Sequence, residues 1–114
     1  MTTIESAVVK ASSEKILSDV SLENGFHFHT GIGMYTGKFA TSLVHFSHIL
    51  EQIDSKSIEF HLARNDFENW IRFLGDNALS LHLAKLRRKN LVGEKLRAEV
   101  MKLVKTRLDR LKSR

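Results

Sequence analysis

The clearest pattern in this sequence is a helical spacing of apolar residues after residue 41. Five successive segments carry apolar residues three and four positions apart, the stripe expected of a helix lying on a core. The stripes are Leu43, Phe46, Leu50 and Ile53; Ile58, His61 and Leu62; Phe67, Trp70, Ile71 and Leu74; Leu79, His82, Leu83 and Leu86; and Leu96, Val100, Leu103, Val104, Leu108 and Leu111. The short connections between them predict helices that run antiparallel or cross steeply.

Polar residues stand where these helices should begin. The candidate N-caps are Thr41 or Ser42, Asn65 or Asp66, and Asp76. Side chains of these types accept a hydrogen bond from a backbone N–H group of the first turn. Gly75 is placed to end the third helix in a left-handed conformation. The last helix is predicted to run from Glu94 towards Ser113.

The first forty residues carry weaker signals. Residues Thr3 to Val20 hold an apolar stripe that predicts a helix, and its peripheral position within 1–22 is a hypothesis. Phe26 to His29 alternate like a short strand, but an isolated strand of this length is unstable. We therefore expect a Gly-rich extended loop near residues 26–40. The predicted fold class is all-α, a compact bundle of five or six helices forming a single domain over 1–114.

Composition excludes several classes of protein. A chain of 114 residues has room for one domain but not for separate substrate and cofactor domains. The absence of cysteine excludes disulfides, thiolate metal sites and a cysteine nucleophile. Because no run of eighteen apolar residues occurs, we expect no membrane span. The N-terminus carries no secretory signal pattern, which predicts a cytoplasmic location. No cofactor is implied.

The net charge of +5 is unevenly distributed. Residues 85–114 hold twelve Lys or Arg and three Asp or Glu, a net charge of +9, whereas residues 1–84 hold six basic and ten acidic residues, a net charge of −4. This asymmetry fits either a basic arm for nucleic acid or two halves that complement each other across a packing surface. The candidate nucleic-acid residues are Arg87, Arg88, Lys89, Lys95, Lys102, Lys105 and Lys112. All aromatic residues precede Gly75, so the basic patch lacks a base-stacking platform.

The Gly-rich segment from Thr30 to Lys38 invites an anion-binding hypothesis, because glycines let backbone N–H groups converge on a phosphate. Its spacing matches neither a P-loop nor the pattern G-x-G-x-x-G, which favours a tight irregular loop. A small ligand sensor or enzyme built around this loop is an alternative. Its candidate ligand-binding residues are Gly31, Gly33, Tyr35, Gly37, Lys38, His61 and Arg64.

The histidines give only a weak metal signal. His27 and His29 are the best candidates, but a catalytic zinc site needs three ligands and no H-E-x-x-H motif is present. We predict no metal site. His61 and His82 fall on apolar stripes, where a histidine is usually a half-buried core residue with bonded ring nitrogens.

Two arginines of the last helix stand out. On a helical wheel Arg97 and Arg107 fall inside the apolar stripe, and a buried guanidinium needs a carboxylate partner. The middle of the chain supplies Glu59, Asp66 and Glu68. We predict that one of these acids pairs with one of the arginines and ties the last helix to the third.

A further pattern of polar and aromatic residues begins at Ser57. It comprises Ser57-x3-His61-x2-Arg64-x-Asp66-Phe67-x2-Trp70-Ile71, then Gly75-Asp76, Leu83-Ala84, Leu96-Arg97 and Arg107-Leu108, with Thr30-Gly31-Ile32-Gly33, Tyr35-Thr36-Gly37 and Ser42-Leu43 upstream. The pattern resembles an uncharacterised prokaryotic domain family that occurs alone or appended to larger proteins, and it covers about Phe26 to Leu111. The resemblance implies a small, mainly helical accessory or regulatory module, in carbohydrate-active or signalling contexts, with no activity to transfer. Asn65 stands where the resemblance leads us to expect glycine.

Local structure accounts for most of these polar residues without catalysis. The sequence therefore favours a non-catalytic protein-interaction or regulatory module that self-associates or docks on another protein. Nucleic-acid binding through the basic C-terminal helices is the first alternative, and the ligand sensor or enzyme is the second.

Overall fold

In this computed structural model, residues 12–113 are described, and they form a two-stranded antiparallel sheet followed by a series of helices. The elements are β1 (Phe26–His29), β2 (Tyr35–Ala40), α1 (Leu43–Leu50), α2 (Ser55–Ala63), α3 (Asp66–Phe73), α4 (Asn77–Arg87) and α5 (Gly93–Lys112). Residues 12–17 are also helical, and Leu22–Asn24 form a 3-10 turn. The rest of the helix predicted within 1–22 lies before residue 12, outside the described residues. No helix in the described range has the length and apolar composition needed to cross a bilayer.

The region near residues 26–40 is a β-hairpin, so the prediction of an extended loop there was wrong. The all-α prediction is corrected to a mainly helical fold with a small sheet. The strand is stable because it is not isolated: Phe26 and Phe28 are buried and pack against the helices. Their rings join Phe46 and Phe67 in one aromatic cluster. Burial of these side chains against the helices thus stabilises a four-residue strand that would be unstable alone.

The glycines shape this hairpin. Its turn is closed by hydrogen bonds from the Thr30 N–H to the Met34 carbonyl and from the Met34 N–H to the Gly31 carbonyl, each 3.0 Å long. Between His27 and His29 of β1 the register shifts at a bulge, opposite the part of β2 in which Gly37 has a φ of 83°. Glycine adopts a left-handed conformation at a bulge with less backbone strain than other residues do. The glycines therefore lie at the turn and the bulge of a hairpin.

The helix ends follow the predicted capping pattern in part. Ser42 Oγ accepts from the His45 N–H at 3.1 Å, and Asp76 Oδ1 accepts from the Leu79 N–H at 3.1 Å. Asn65 lies between α2 and α3 with a φ of 68° and makes no side-chain cap. Asparagine is among the residues that tolerate this left-handed conformation, so it does here what a glycine would do.

Helix α5 forms the long side of the core. It packs against α1, α2 and α4, and its buried residues are Leu96, Val100, Val104, Leu108 and Leu111. On the other side, Trp70 of α3 donates its indole N–H to the Asn24 carbonyl at 2.9 Å. These contacts fix the hairpin and the preceding turn against the helices, and a cleft remains between them.

Candidate functional site

The cleft lies between the hairpin and the helices α2 and α3, and its volume is about 560 Å³. The hairpin contributes Phe26, His27, His29, Gly31, Ile32 and Gly33. The helices and the turn between them contribute Phe60, His61, Arg64, Asp66, Asn69 and Trp70. The size is within the range of small-molecule and peptide sites.

His61 is the buried centre of this cleft, with 4% of its surface exposed. Its Nε2 accepts a hydrogen bond from the His29 backbone N–H at 2.7 Å, and its Nδ1 lies 2.8 Å from Asp66 Oδ2. Because a backbone N–H only donates, Nε2 must be unprotonated and Nδ1 must carry the proton. His61 therefore joins α2 to β1 in a neutral form with both nitrogens bonded.

Burial lowers the pKa of His61 below its ordinary value of 6.5, and the neighbouring His29 and Arg64 act in the same direction. The hydrogen bond and charge of Asp66 oppose this change without outweighing it. The direction agrees with the geometry, because a proton on Nε2 would face the His29 N–H donor.

This lowered pKa predicts that stability depends on pH. Below pH 6.5 the unfolded chain takes up a proton at this position that the folded chain does not, so the free energy of unfolding falls as the pH drops towards the folded-state pKa. Above pH 6.5 the contribution is constant. Urea unfolding between about pH 7.5 and pH 5 should show the fall in the wild type, and less of it in His61→Leu. The exposed-histidine variant His82→Ala should keep it; an equal fall in all three proteins would contradict the prediction.

Arg64 lies on the solvent-exposed side of the pair formed by His61 and Asp66. Its Nε lies 3.2 Å from Asp66 Oδ2, and its guanidinium carbon lies 4.8 Å from the centre of the Phe60 ring. The side chain is half exposed. No residue in 12–113 hydrogen-bonds to its two Nη atoms. The guanidinium is therefore held by a carboxylate and an aromatic face, and the part of the chain that the structure describes leaves its Nη donors unused.

The two histidines of β1 are bonded within the hairpin region. His27 Nε2 donates to the Leu22 carbonyl at 3.0 Å, and its Nδ1 lies 3.4 Å from the Tyr35 hydroxyl. His29 Nδ1 donates to the His27 carbonyl at 3.0 Å. Within residues 12–113 no group of three or more His, Cys, Asp or Glu is placed to hold a metal ion. The weak metal candidates His27 and His29 thus find no third ligand in that range.

The ligand-binding candidates from the sequence do not form one site. Gly31, Gly33, His61 and Arg64 line the cleft. Gly37 and Lys38 line a separate groove of about 640 Å³ between β2 and α1, and Tyr35 lines neither. The bulge at Gly37 and the alternation of the strand send these residues to different sides of the hairpin.

The predicted ion pairs were wrong in their partners. Arg107 Nε bonds to Asp76 Oδ2 at 2.7 Å, whereas Arg97 bonds to Glu94 and to the Leu50 carbonyl. Asp76 reaches α5 because it starts α4, which packs on α5.

The three acids predicted as partners are engaged elsewhere. Glu59 Oε2 accepts from the Gly93 N–H at 2.9 Å, at the start of α5. Glu68 is buried, and its Oε1 lies 3.3 Å from Nε of Arg87 on α4, whereas Asp66 is bonded to His61. Each acid faces a nearer donor than Arg97 or Arg107, so the α3–α5 link was mispredicted.

The other sequence candidates are mostly at the surface. His82 is exposed, because α4 turns Ser80 rather than His82 towards the core beside Leu79 and Leu83. Among the basic candidates, Arg87 pairs with Glu68 and Lys105 pairs with Glu51. The exposed basic candidates without an ion pair in residues 12–113 are Arg88, Lys89, Lys95, Lys102 and Lys112.

Sequence reasoning missed several cleft residues. Ile32, Phe60 and Asn69 were not predicted, although Phe60 and Arg64 stand four residues apart on one helix, a spacing that brings side chains together. Ile32 and Asn69 carry no local signal, because they line the same cleft only once the hairpin and α3 have packed together.

No curated protein and no solved structure matches the chain. A protein family does match, over residues 2–105 of the 114 in the chain. Through this match, which covers most of its length, the chain belongs to the "Family of unknown function (DUF5752)".

Proposed function

We propose that the chain is a non-catalytic protein-interaction module that binds its partner through the hairpin. The observation that carries the proposal is the exposure of four large apolar side chains within eight residues of sequence. They are Ile32, 86% exposed; Met34, 61%; Tyr35, 49%; and Phe39, 36%. We call these four residues the hairpin face. Apolar side chains exposed in such a group commonly mark an interaction site.

The bonding of His61 to His29 and Asp66, beside the hairpin face, supports a structural role for this histidine better than a catalytic one. A general base needs a free nitrogen within reach of a substrate proton. Nε2 of His61 would have to lose its hydrogen bond from the His29 N–H before it could accept a substrate proton. Nδ1 is already hydrogen-bonded to Asp66. The hydrogen bond from the His29 N–H to His61 also holds the hairpin on α2.

Nucleic-acid binding has weaker support. Exposed cations suffice for contacts with phosphate, and Arg88, Lys89 and Lys102 supply some. Two of the seven candidates, Arg87 and Lys105, are however already paired with acids. Duplex DNA at low salt is a simple check: the proposal predicts weak binding that disappears as salt rises and does not depend on the hairpin face.

Selection from a displayed random-peptide library tests the proposal without a known partner. We expect enriched peptides to bind the wild type and to lose binding to the double variant Ile32→Ser, Met34→Ser. The matched control is Leu81→Ser, which removes an apolar side chain 61% exposed on α4 and should bind normally. Both variants should keep the wild-type melting temperature within about 3 °C, because exposed substitutions change stability little. Peptides that bind all three proteins equally would contradict the proposal.

A further inference from the structure

We propose that the cleft beside the hairpin face binds an extended segment of the partner that carries an acidic side chain close to an apolar one. The inference rests on the proposed function and adds the chemistry of the partner: the carboxylate pairs with Arg64, and the apolar side chain packs between Ile32 and Phe60.

The guanidinium of Arg64 is prepared for this contact. Its Nε lies 3.2 Å from Asp66 Oδ2 in an ion pair and its guanidinium lies over the Phe60 ring, while no residue in 12–113 hydrogen-bonds to its two Nη atoms. These atoms form the paired donors that match the two oxygens of a carboxylate. Because the side chain is already held, less conformational entropy is lost when a ligand binds.

The other charges lining the cleft do not repel a carboxylate strongly. Asp66 is the one carboxylate among the described lining residues, and its Oδ2 already accepts from His61 and forms an ion pair with Arg64. The remaining titratable lining residues are His27, His29 and His61. Asn69 uses its Oδ1 to accept from Arg72, which leaves its amide N–H groups to donate to a peptide carbonyl.

Apolar side chains line the same cleft as Arg64. Ile32 projects from the hairpin turn with most of its surface in water, and Phe60 and Trp70 line the opposite wall. An apolar side chain placed between these walls would leave water together with Ile32. The cleft therefore offers a positive charge and apolar surface together, and we expect it to prefer a segment that carries both a negative charge and an apolar side chain.

Trp70 is the only tryptophan of the chain and lines the cleft, so its fluorescence and its indole N–H resonance report on binding there. The probe is a capped eight-residue peptide in a glycine–serine framework with one leucine and one glutamate, two positions apart. Matched peptides replace the glutamate with glutamine or the leucine with alanine. We expect the first peptide to shift the Trp70 signals, and each matched peptide to bind about ten-fold more weakly.

The protein variants complete the test. Arg64→Ala should weaken binding about ten-fold or more, and Arg64→Lys should recover little because it lacks the paired donors. Arg88→Ala, which removes an exposed arginine elsewhere, should bind as the wild type does. Equal binding of the glutamate and glutamine peptides, wild-type affinity in Arg64→Ala, or no shift of Trp70 at millimolar peptide would overturn the inference. If library peptides need the hairpin face but neither Arg64 nor an acid, the inference fails and the proposed function stands.

Discussion

Asp76→Ala is expected to lower the free energy of unfolding by about 4 kcal/mol. The Asp76 side chain is fully buried and performs two tasks. Its Oδ1 accepts from the Leu79 N–H and caps α4, and its Oδ2 accepts from Arg107 Nε at 2.7 Å. Alanine removes the cap and leaves a guanidinium only 15% exposed without a carboxylate. Urea unfolding monitored by circular dichroism measures the loss.

The ion pair between Glu51 and Lys105 supplies a control for this prediction, because Lys105 lies on α5 together with Arg107. Glu51→Ala removes the partner of Lys105 from an ion pair that is about half exposed, and it should cost less than about 0.5 kcal/mol. The double variant Asp76→Ala, Arg107→Met should be more stable than Asp76→Ala alone, because no unpaired charge remains buried. A loss below about 1 kcal/mol in Asp76→Ala would show that this pair does not join α4 to α5.

His61→Ala is expected to destabilise the protein by about 3 kcal/mol. The ring packs against Phe26 with 4.7 Å between centroids, and its removal opens a cavity in the aromatic cluster. It also leaves the His29 N–H without its acceptor. The loss of stability should be largest in the hairpin. Hydrogen exchange of the His29 amide should therefore accelerate more than exchange in α5.

The control for this variant is His82→Ala. It removes the same side chain from an exposed position on α4 and should change stability by less than about 0.5 kcal/mol. Equal effects of the two substitutions, or a His29 amide that exchanges as slowly in His61→Ala as in the wild type, would contradict the structural role of His61.

The helices were predictable because their signals are local. The stripe of Phe67, Trp70 and Ile71 defines α3 by spacing alone, and all three residues are buried. The Asp76 cap was predictable in the same way, since it depends on the next turn of chain. Its second bond, to Arg107, was not predictable, because it depends on the packing of α4 against α5.

The hairpin shows where sequence reasoning fails. The strand β2 contains Gly37 and Lys38 and exposes most of its residues, so it lacks the alternation that identifies a strand. It exists because Phe26 and Phe28 of its neighbour are buried by helices that come later in the chain. The burial of His61 followed from its stripe, but its acceptor role depends on where β1 is placed.

The protonation state of His61 is the decisive measurement for the role of this residue. We infer that His61 is a neutral structural link between the hairpin and α2. Nitrogen NMR of the labelled protein should therefore show the proton on Nδ1, an unprotonated Nε2, and a pKa below 6.5. A proton on Nε2 at neutral pH, or a pKa at or above 6.5, would contradict it.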